Sequence, residues 1–599
     1  MADLRDELRV ASPSPFVVVR DALPPDKENV IEPLWSAALD SQQKAQERFQ
    51  AACALATYAP DDPRWGRINT FVAGRLVLLE ASMLVAWREV LRPAKGQLIK
   101  PLALIYRDKN QKEQARIYAT ETLADYATDR SDELFDLLAD AELFQFPALF
   151  DKLALHKEQA VALAQQELAK RPPEKATEAQ REAFAMRQAN AAVALFRLGN
   201  SEEVWPILKF TPDPNVRSYV IHWVSPLGAE PQPILQRLDS EPDVSIRRAL
   251  VLMLGEFPES QLSIAQRQPL IEKLAAIYEH EPDAGLHGAA EWLLRKWGQA
   301  KGLEEVLDRL KSDEQRLQSQ KASDKRQWYV NTQKQTFVIM NAGEFLMGSS
   351  ASGPTNTALE AQHRCRLARR FAISAHEVTK AECRAFEQTV KGVYLSNHPG
   401  LRQVVRTDDS PQTALTWYEA AHYCDWLSER EKIPRDQWCY DPPGGVYAAG
   451  MKAKPKFWEL KGYRLPTDAE WEFACRAGTL TSRYYGFSER LLPQYAWYVA
   501  NGDSHVWPSG TLQPNDLGLF DMLGNAMEWC FDRYVDVAQR NQEFADTPPT
   551  EPVKAGERRV SRGGGFVARS PVVTSDSRLA NPPDYRGPDV GFRPARTYP

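Results

Sequence analysis

From about Asp40 to Gln299 the chain gives almost no strand signal, and its apolar residues recur at helical spacing. After Gln335 the texture changes to short β-type runs, glycine turns and many aromatics. No other feature constrains the fold as much, because helices and strands bury their apolar residues with different periods. The 599 residues suffice for at least two domains, each with its own core. The expected division is an N-terminal leader at 1–39, a helical repeat domain at 40–300, a charged helical linker at 301–334 and a C-terminal domain at 335–599.

Within the helical part, runs such as Ala191 to Leu198 and Leu250 to Leu254 close on Gly199 and Gly255, which suit helix C-caps. A turn recurs as Pro212-Asp213-Pro214-Asn215-Val216-Arg217, Pro242-Asp243-Val244-Ser245-Ile246-Arg247 and Pro282-Asp283-Ala284-Gly285-Leu286-His287. In each, Pro and Asp open a turn and supply a helix N-terminus. This pattern resembles HEAT-type repeats, which implies an α-solenoid of stacked helix pairs sharing one core. Asp61-Asp62-Pro63-Arg64-Trp65 and the Trp87-to-Pro93 segment resemble a region of large kinase-bearing signalling proteins. The sequence itself has no Gly-rich loop, HRD or DFG. Leu303 to Leu310 reads as a final helix that fades into the polar Ser319-to-Asp324 stretch.

Composition excludes several classes. A net charge of −6 gives no electrostatic footprint for nucleic acid. No apolar run reaches the ~18 residues of a membrane span, and the charged start lacks a signal-peptide core. Seven cysteines without a CxxC read as buried reduced thiols, and the expected compartment is a reducing cytoplasm.

In the C-terminal part, Phe337 to Ser349 reads as two short strands around an Asn-Ala-Gly turn, and Leu415 to Leu427 as an amphipathic helix. Tyr463-Arg464-Leu465-Pro466-Thr467-Asp468-Ala469-Glu470-Trp471 follows, with a capping box from Thr467 to Glu470. Arg464 and Glu470 read as buried structural groups rather than catalysts. Then come Asn515 to Trp529, Arg562-Gly563-Gly564-Gly565-Phe566 and Val590-Gly591-Phe592-Arg593-Pro594. In this order the motifs resemble the formylglycine-generating-enzyme (sulfatase-modifying factor) family. The overall expectation is therefore an α+β multidomain chain: a HEAT-like α-solenoid followed by a formylglycine-generating-enzyme-like C-type lectin fold with little regular secondary structure.

The resemblance implies a calcium site at the Asp521 side chain, the Gly524 and Ala526 carbonyls and the Glu528 side chain, a donor set that suits a hard cation. Met527 stands where the family has the first Trp of its Trp-Glu-Trp signature. The family's copper chemistry needs two cysteines after the Arg-Gly-Gly signature, where this chain has Ala568 and Val573, and no cysteine follows Cys530. Related iron enzymes use a histidine cluster in a helical domain. The helical part here offers His156, His222, His280 and His287, which read as ordinary surface or core residues. No copper or iron site and no catalytic residue set is identified.

The segment Val567 to Asp589 contains no Lys, Glu, Gln, Met or Trp, the five residue types that no codon ending in C or T encodes. Retroelement-diversified binding proteins randomise adenines at this end of the same lectin-like fold. The leading functional reading is a binding module for a peptide or protein, contacted through Arg569, Ser570, Asp576, Asn581, Asp584, Tyr585 and Arg586. Two alternatives stand beside it: a metal-dependent oxidase or modifying enzyme with unrecognised ligands, and an architectural adaptor with a protein partner on the helical repeats.

Overall fold

The structure is a computed structural model that describes residues 12–22, 28–311, 326–349, 362–390, 395, 401–535, 543–546 and 550–599. The start of the leader, the Ser319-to-Asp324 stretch and the rest of the linker between 312 and 325 lie outside the described residues. The chain forms two compact units. The first comprises Met1–Arg171, Met186–Val204 and Pro226–Ala229; the second comprises Pro172–Ala185, Trp205–Ser225 and Glu230–Pro599.

The first unit is helical, and its helices interlock around fully buried Trp35, Trp65 and Trp87. Trp35 and Trp65 meet edge to face with ring centroids 6.0 Å apart. Two ion pairs, Lys95 to Asp129 and Arg107 to Asp140, tie the two ends of the helix at Lys95–Arg107 to those of the helix at Ser131–Ala139, one helix further on. The second unit repeats the device with Lys273 and Asp239, 34 residues apart.

In the second unit the Pro-Asp turns open helices as expected. Asp243 caps Val244–Leu254 by accepting from the Ser245 and Ile246 N–H groups, and Asp283 caps Ala284–Lys296 through the Leu286 N–H. Gly199 ends its helix with a left-handed φ of 85°. Gly255 serves differently: its φ is −70°, and a Cβ there would lie 2.2 Å from the Trp292 ring. It is a packing glycine rather than a left-handed cap.

The strands, in chain order, are β1 (Trp328–Val330), β2 (Thr336–Met340), β3 (Gly343–Met347), β4 (His363–Leu367), β5 (Phe371–Ser374), β6 (Tyr440–Asp441), β7 (Lys452–Ala453), β8 (Tyr463–Arg464), β9 (Met527–Arg533), β10 (Glu543–Ala545), β11 (Arg559–Arg562), β12 (Arg578–Asn581), β13 (Val590–Gly591) and β14 (Ala595–Thr597). They form a five-stranded antiparallel sheet β1-β2-β5-β14-β8 and a four-stranded sheet β12-β11-β9-β13 in which only β13 runs parallel to its neighbour. Smaller sheets are β10-β4-β3 and β6-β7. The strands on either side of Asn341-Ala342-Gly343 are present but belong to different sheets, so the turn moves the chain between layers instead of closing a hairpin. The expected amphipathic helix spans Trp417–Arg430 and is capped by a Thr416–Glu419 box. The chain is thus an α+β multidomain protein, helical first and sheet-bearing at its C-terminal end.

Candidate functional site

The glycines after Arg562 set the geometry. Arg562 is buried, donating to Asp468 Oδ1 at 2.6 Å, Glu472 Oε2 at 2.9 Å and the Ser575 and Ser577 carbonyls. Gly563 and Gly564 then adopt left-handed φ values of 88° and 70°, which a side chain would resist. They turn the strand end outward, so that Val567 is 51% and Val572 43% exposed.

Ala568 and Val573 come together at this bend: a Cβ on Gly564 would lie 3.5 Å from the Ala568 Cβ and 3.5 Å from the Val573 Cγ2. All seven cysteines are buried and free of disulfides, and none occupies either position. The helical-part histidines are dispersed. His156 meets the Thr128 carbonyl, His222 the Tyr495 hydroxyl, and His287 is sandwiched between Tyr278 and Trp328. Burial pulls the His287 pKa down to about 4. Among the described residues no group of three or more His, Cys, Asp or Glu is arranged to hold a metal.

The seven nominated ligand contacts separate. Arg569, Asp584, Tyr585 and Arg586 are exposed, and Ser570 is half-buried with its hydroxyl donating to Glu489 at 2.9 Å. Arg586 is drawn toward the helix at 417–430, donating to Glu419 Oε1 at 2.5 Å and the Ala414 carbonyl at 3.2 Å. Asn581 donates to Ser561 across the β11–β12 pair at 3.0 Å. Asp576 is corrected: it is 3% exposed and accepts from the Ser349 hydroxyl, so it braces the interior and offers no surface.

A small apolar cluster of Val405, Ala414, Val506, Ala526 and Phe566 supports both exposed segments. The Phe566 N–H donates to Asn525 O, the Val499 N–H to Ala568 O, and the Ala414 N–H to Gly587 O. Sequence reasoning missed Trp497 and Trp507 beside this cluster. Their rings stack at 4.4 Å, and both backbones are held by Asn525. Two tryptophans ten residues apart were the available signal.

Beneath lies the turn from Asp521 to Glu528. Asp521 is buried with a left-handed φ of 53°; its Oδ2 accepts from the Gly510 N–H at 2.8 Å, while its Oδ1 has no hydrogen-bond partner. Burial raises its pKa, and burial together with Asp521 and Glu528 pushes Glu377 well up. Glu377 accepts from the Asn525 side chain at 2.9 Å and the Ala526 N–H at 3.0 Å. The orphaned Asp521 oxygen fits an oxygen-liganded cation. Glu528 fits less well, because Arg593 engages both its oxygens, at 2.7 and 2.6 Å, and Trp471 donates to one at 2.8 Å. Arg464 and Glu470 form a second buried fork at 2.6 and 2.7 Å. Burial works against ionising Glu470, but Arg369 and Arg464 hold its pKa down to about 2.

Short sheets joined by glycine turns and pinned by buried arginine–carboxylate forks make the C-terminal region a small α+β domain. Residues 323–598 match the family model described as the sulfatase-modifying factor enzyme 1-like domain, and the chain carries a domain of that family.

Similar proteins include a Paenibacillus barcinonensis protein named chaperone protein LppX, 26% identical over 284 residues, covering 43% of this chain and 89% of that protein. The Streptomyces coelicolor formylglycine-generating enzyme is 27% identical over 286 residues, covering 43% of this chain and 87% of its own length. A mouse protein named inactive C-alpha-formylglycine-generating enzyme 2 is 26% identical, covering 44% and 86%. Among solved structures, Treponema denticola variable protein 1 matches with a TM-score of 0.37 and 27% identity, covering 44% of this chain and 95% of that one.

Proposed function

We propose that the C-terminal domain is a recognition module that binds a peptide or protein through the surface of residues 567–572 and 584–588. In this reading the helical repeats are a HEAT-like scaffold, and Arg569, Ser570, Asp584, Tyr585 and Arg586 make or border the contacts. One observation carries most weight: Val567 and Val572 are solvent-exposed, beside Ala568 and Val573, the positions where the resemblance implies copper-binding thiolates. Exposed Tyr and Arg over a fixed apolar base suit adaptable recognition. Retroelement diversification of the segment belongs to the same reading, as does a structural calcium ion held by Asp521 with the Gly524 and Ala526 carbonyls. Such an ion would neutralise buried carboxylate charge under the ligand surface. Seven free thiols support a reducing, cytoplasmic setting. Among the described residues no helix is long and apolar enough to cross a membrane.

The test is selection of a random peptide library on the full chain. Bound sequences should lose affinity for the Arg569→Ala/Tyr585→Ala double variant while its melting temperature stays constant. Unchanged affinity would count against this surface. Sequencing the source locus around codons 560–596 tests diversification, which needs a near-copy differing at adenines. The rival reading, a modifying enzyme, draws on relatives named formylglycine-generating enzymes. It gains if purified protein carries stoichiometric copper or iron and consumes oxygen with a cysteine peptide.

A further inference from the structure

Three helices of the second unit meet the sheet-bearing domain at one place, using residues shortly after their Pro-Asp turns. From Asn215–Trp223, Asn215 Oδ1 accepts from the Phe487 N–H at 2.9 Å, and Arg217 donates to Asp516 Oδ2 at 2.8 Å. From Val244–Leu254, Arg248 donates to the Asp516 carbonyl and lies 3.6 Å from its carboxylate. Ala284–Lys296 approaches through glycine: a Cβ on Gly285 would lie 2.1 Å from the Asp516 carbonyl, and one on Gly288 2.7 Å from the Gly518 Cα. Gly518 has a φ of 77°, and its own Cβ would meet the Ala284 carbonyl at 2.2 Å. Backbone passes backbone here only because neither side carries a side chain.

The polar groups are complementary across this contact. Asp516 takes two guanidinium partners, the Tyr495 hydroxyl meets His222 at 2.9 Å, and Ser488 receives Tyr219 at 2.8 Å. Without the helices Asp516 would lose both of its cations, and an unpaired buried charge is costly. A fourth contact reaches further. Glu291 meets His376 at 3.1 Å, and the next residue, Glu377, holds the Asn525 side chain and the Ala526 N–H below Phe566.

We propose that the helices between 205 and 296 are a built-in partner of the C-terminal domain, docked on a receptor turn centred on Asp516, with Glu291 acting through His376 as a positioning residue for the Asn525–Ala526 turn. The helices are then an obligatory part of the recognition unit, and their docked surface is not free for another protein. The inference stands on this contact and not on any ligand, so failure of the peptide selection would leave it intact.

The test is amide hydrogen exchange on the full chain. The Leu480 and Phe487 amides donate to Pro212 O and Asn215 Oδ1, so they report directly on docking. Asp516→Asn should speed their exchange at least about tenfold while the Phe337-to-Ile339 amides of β2 stay protected. If Asp516→Asn does not fold, Gly288→Ala supplies the same readout, with Gly302→Ala, where a Cβ meets nothing within 4 Å, as control. Glu291→Ala should speed the Ala526 amide about tenfold and Glu291→Gln should restore it. Unchanged exchange at Leu480 and Phe487 in a folded docking variant overturns the built-in partner. Unchanged exchange at Ala526 in folded Glu291→Ala overturns the positioning role.

Discussion

Arg593 and Glu528 are locked face to face with no solvent access to either side chain. The guanidinium donates from Nε and Nη2 to the two carboxylate oxygens, and its other N–H groups reach the Ser374, Ala375 and Phe520 carbonyls. All five donors of the side chain are therefore satisfied. This one fork ties β9, the end of β5 and the turn before Asp521 to the segment that follows β13.

Breaking the fork leaves a buried charge with no partner, which costs about 3–5 kcal/mol. Glu528→Ala should lower the urea-unfolding free energy of the second unit by that amount. Arg593→Lys keeps the charge but not the planar fork, and should be nearly as damaging. A change within about 0.5 kcal/mol, the range of ordinary surface substitutions, would show that the fork does not hold the sheets together.

Asp425 gives the protein a pH dependence of known sign. The carboxyl projects from the buried face of the helix at 417–430 and accepts from the Tyr447 hydroxyl at 2.7 Å. Burial pushes its pKa from 3.8 up to about 7, against the smaller opposing pull of that hydrogen bond. A carboxyl whose folded pKa is raised is stabilising only while protonated, so its contribution is lost as pH climbs from about 4 through 7. Asp425→Asn should remove that loss. The stability of the variant relative to the native chain should rise across this window, by up to about 4 kcal/mol. A constant difference from pH 4 to 8 would mean that Asp425 is ionised throughout.

How far the sequence reveals this molecule depends on the range of each signal. The Thr467–Glu470 box and the Asp243 and Asp283 caps were legible because capping acts over three residues. Asp576 was misjudged because an acidic residue in a polar segment looks exposed, and only the distant Ser349 reveals that it is enclosed. The fork between Glu528 and Arg593 spans 65 residues, and the Arg217–Asp516 contact spans 299, so no local pattern announces either. The stacking of Trp497 on Trp507 is of longer range than their ten-residue spacing shows. Their support is Asn525, whose backbone and side chain contacts arise only once the chain has folded back.

Calcium is tested on the orphaned oxygen of Asp521. Protein stripped with a chelator should gain stability on calcium addition, about 2.7 kcal/mol at about a hundred times Kd. Asp521→Asn removes the charge while keeping the shape, and should abolish the gain. Glu528→Gln should reduce it less, since Arg593 already engages that carboxylate. An unchanged melting temperature in native protein would remove calcium from the account of this turn.

The proposal that Ala568 and Val573 stand in place of copper-binding thiols can be tested by putting thiols there. Ala568 and Val573 both lie against the space where a Gly564 Cβ would sit, so thiols placed there would be neighbours. Burial raises a thiol's pKa, but a soft cation coordinates the thiolate and offsets that cost. Ala568→Cys/Val573→Cys should therefore bind one Cu(I) per chain, measured by competition with a chromogenic chelator, while the native chain and each single variant bind none tightly. Oxygen consumption by the copper-loaded double variant with a cysteine peptide would mean that the remaining site is still shaped for oxidation and lacks only its ligands. Tight copper binding without oxygen consumption would show that the surrounding surface has also diverged, as a binding module requires. Tight stoichiometric copper in the native chain would place the metal on other residues and favour the enzyme.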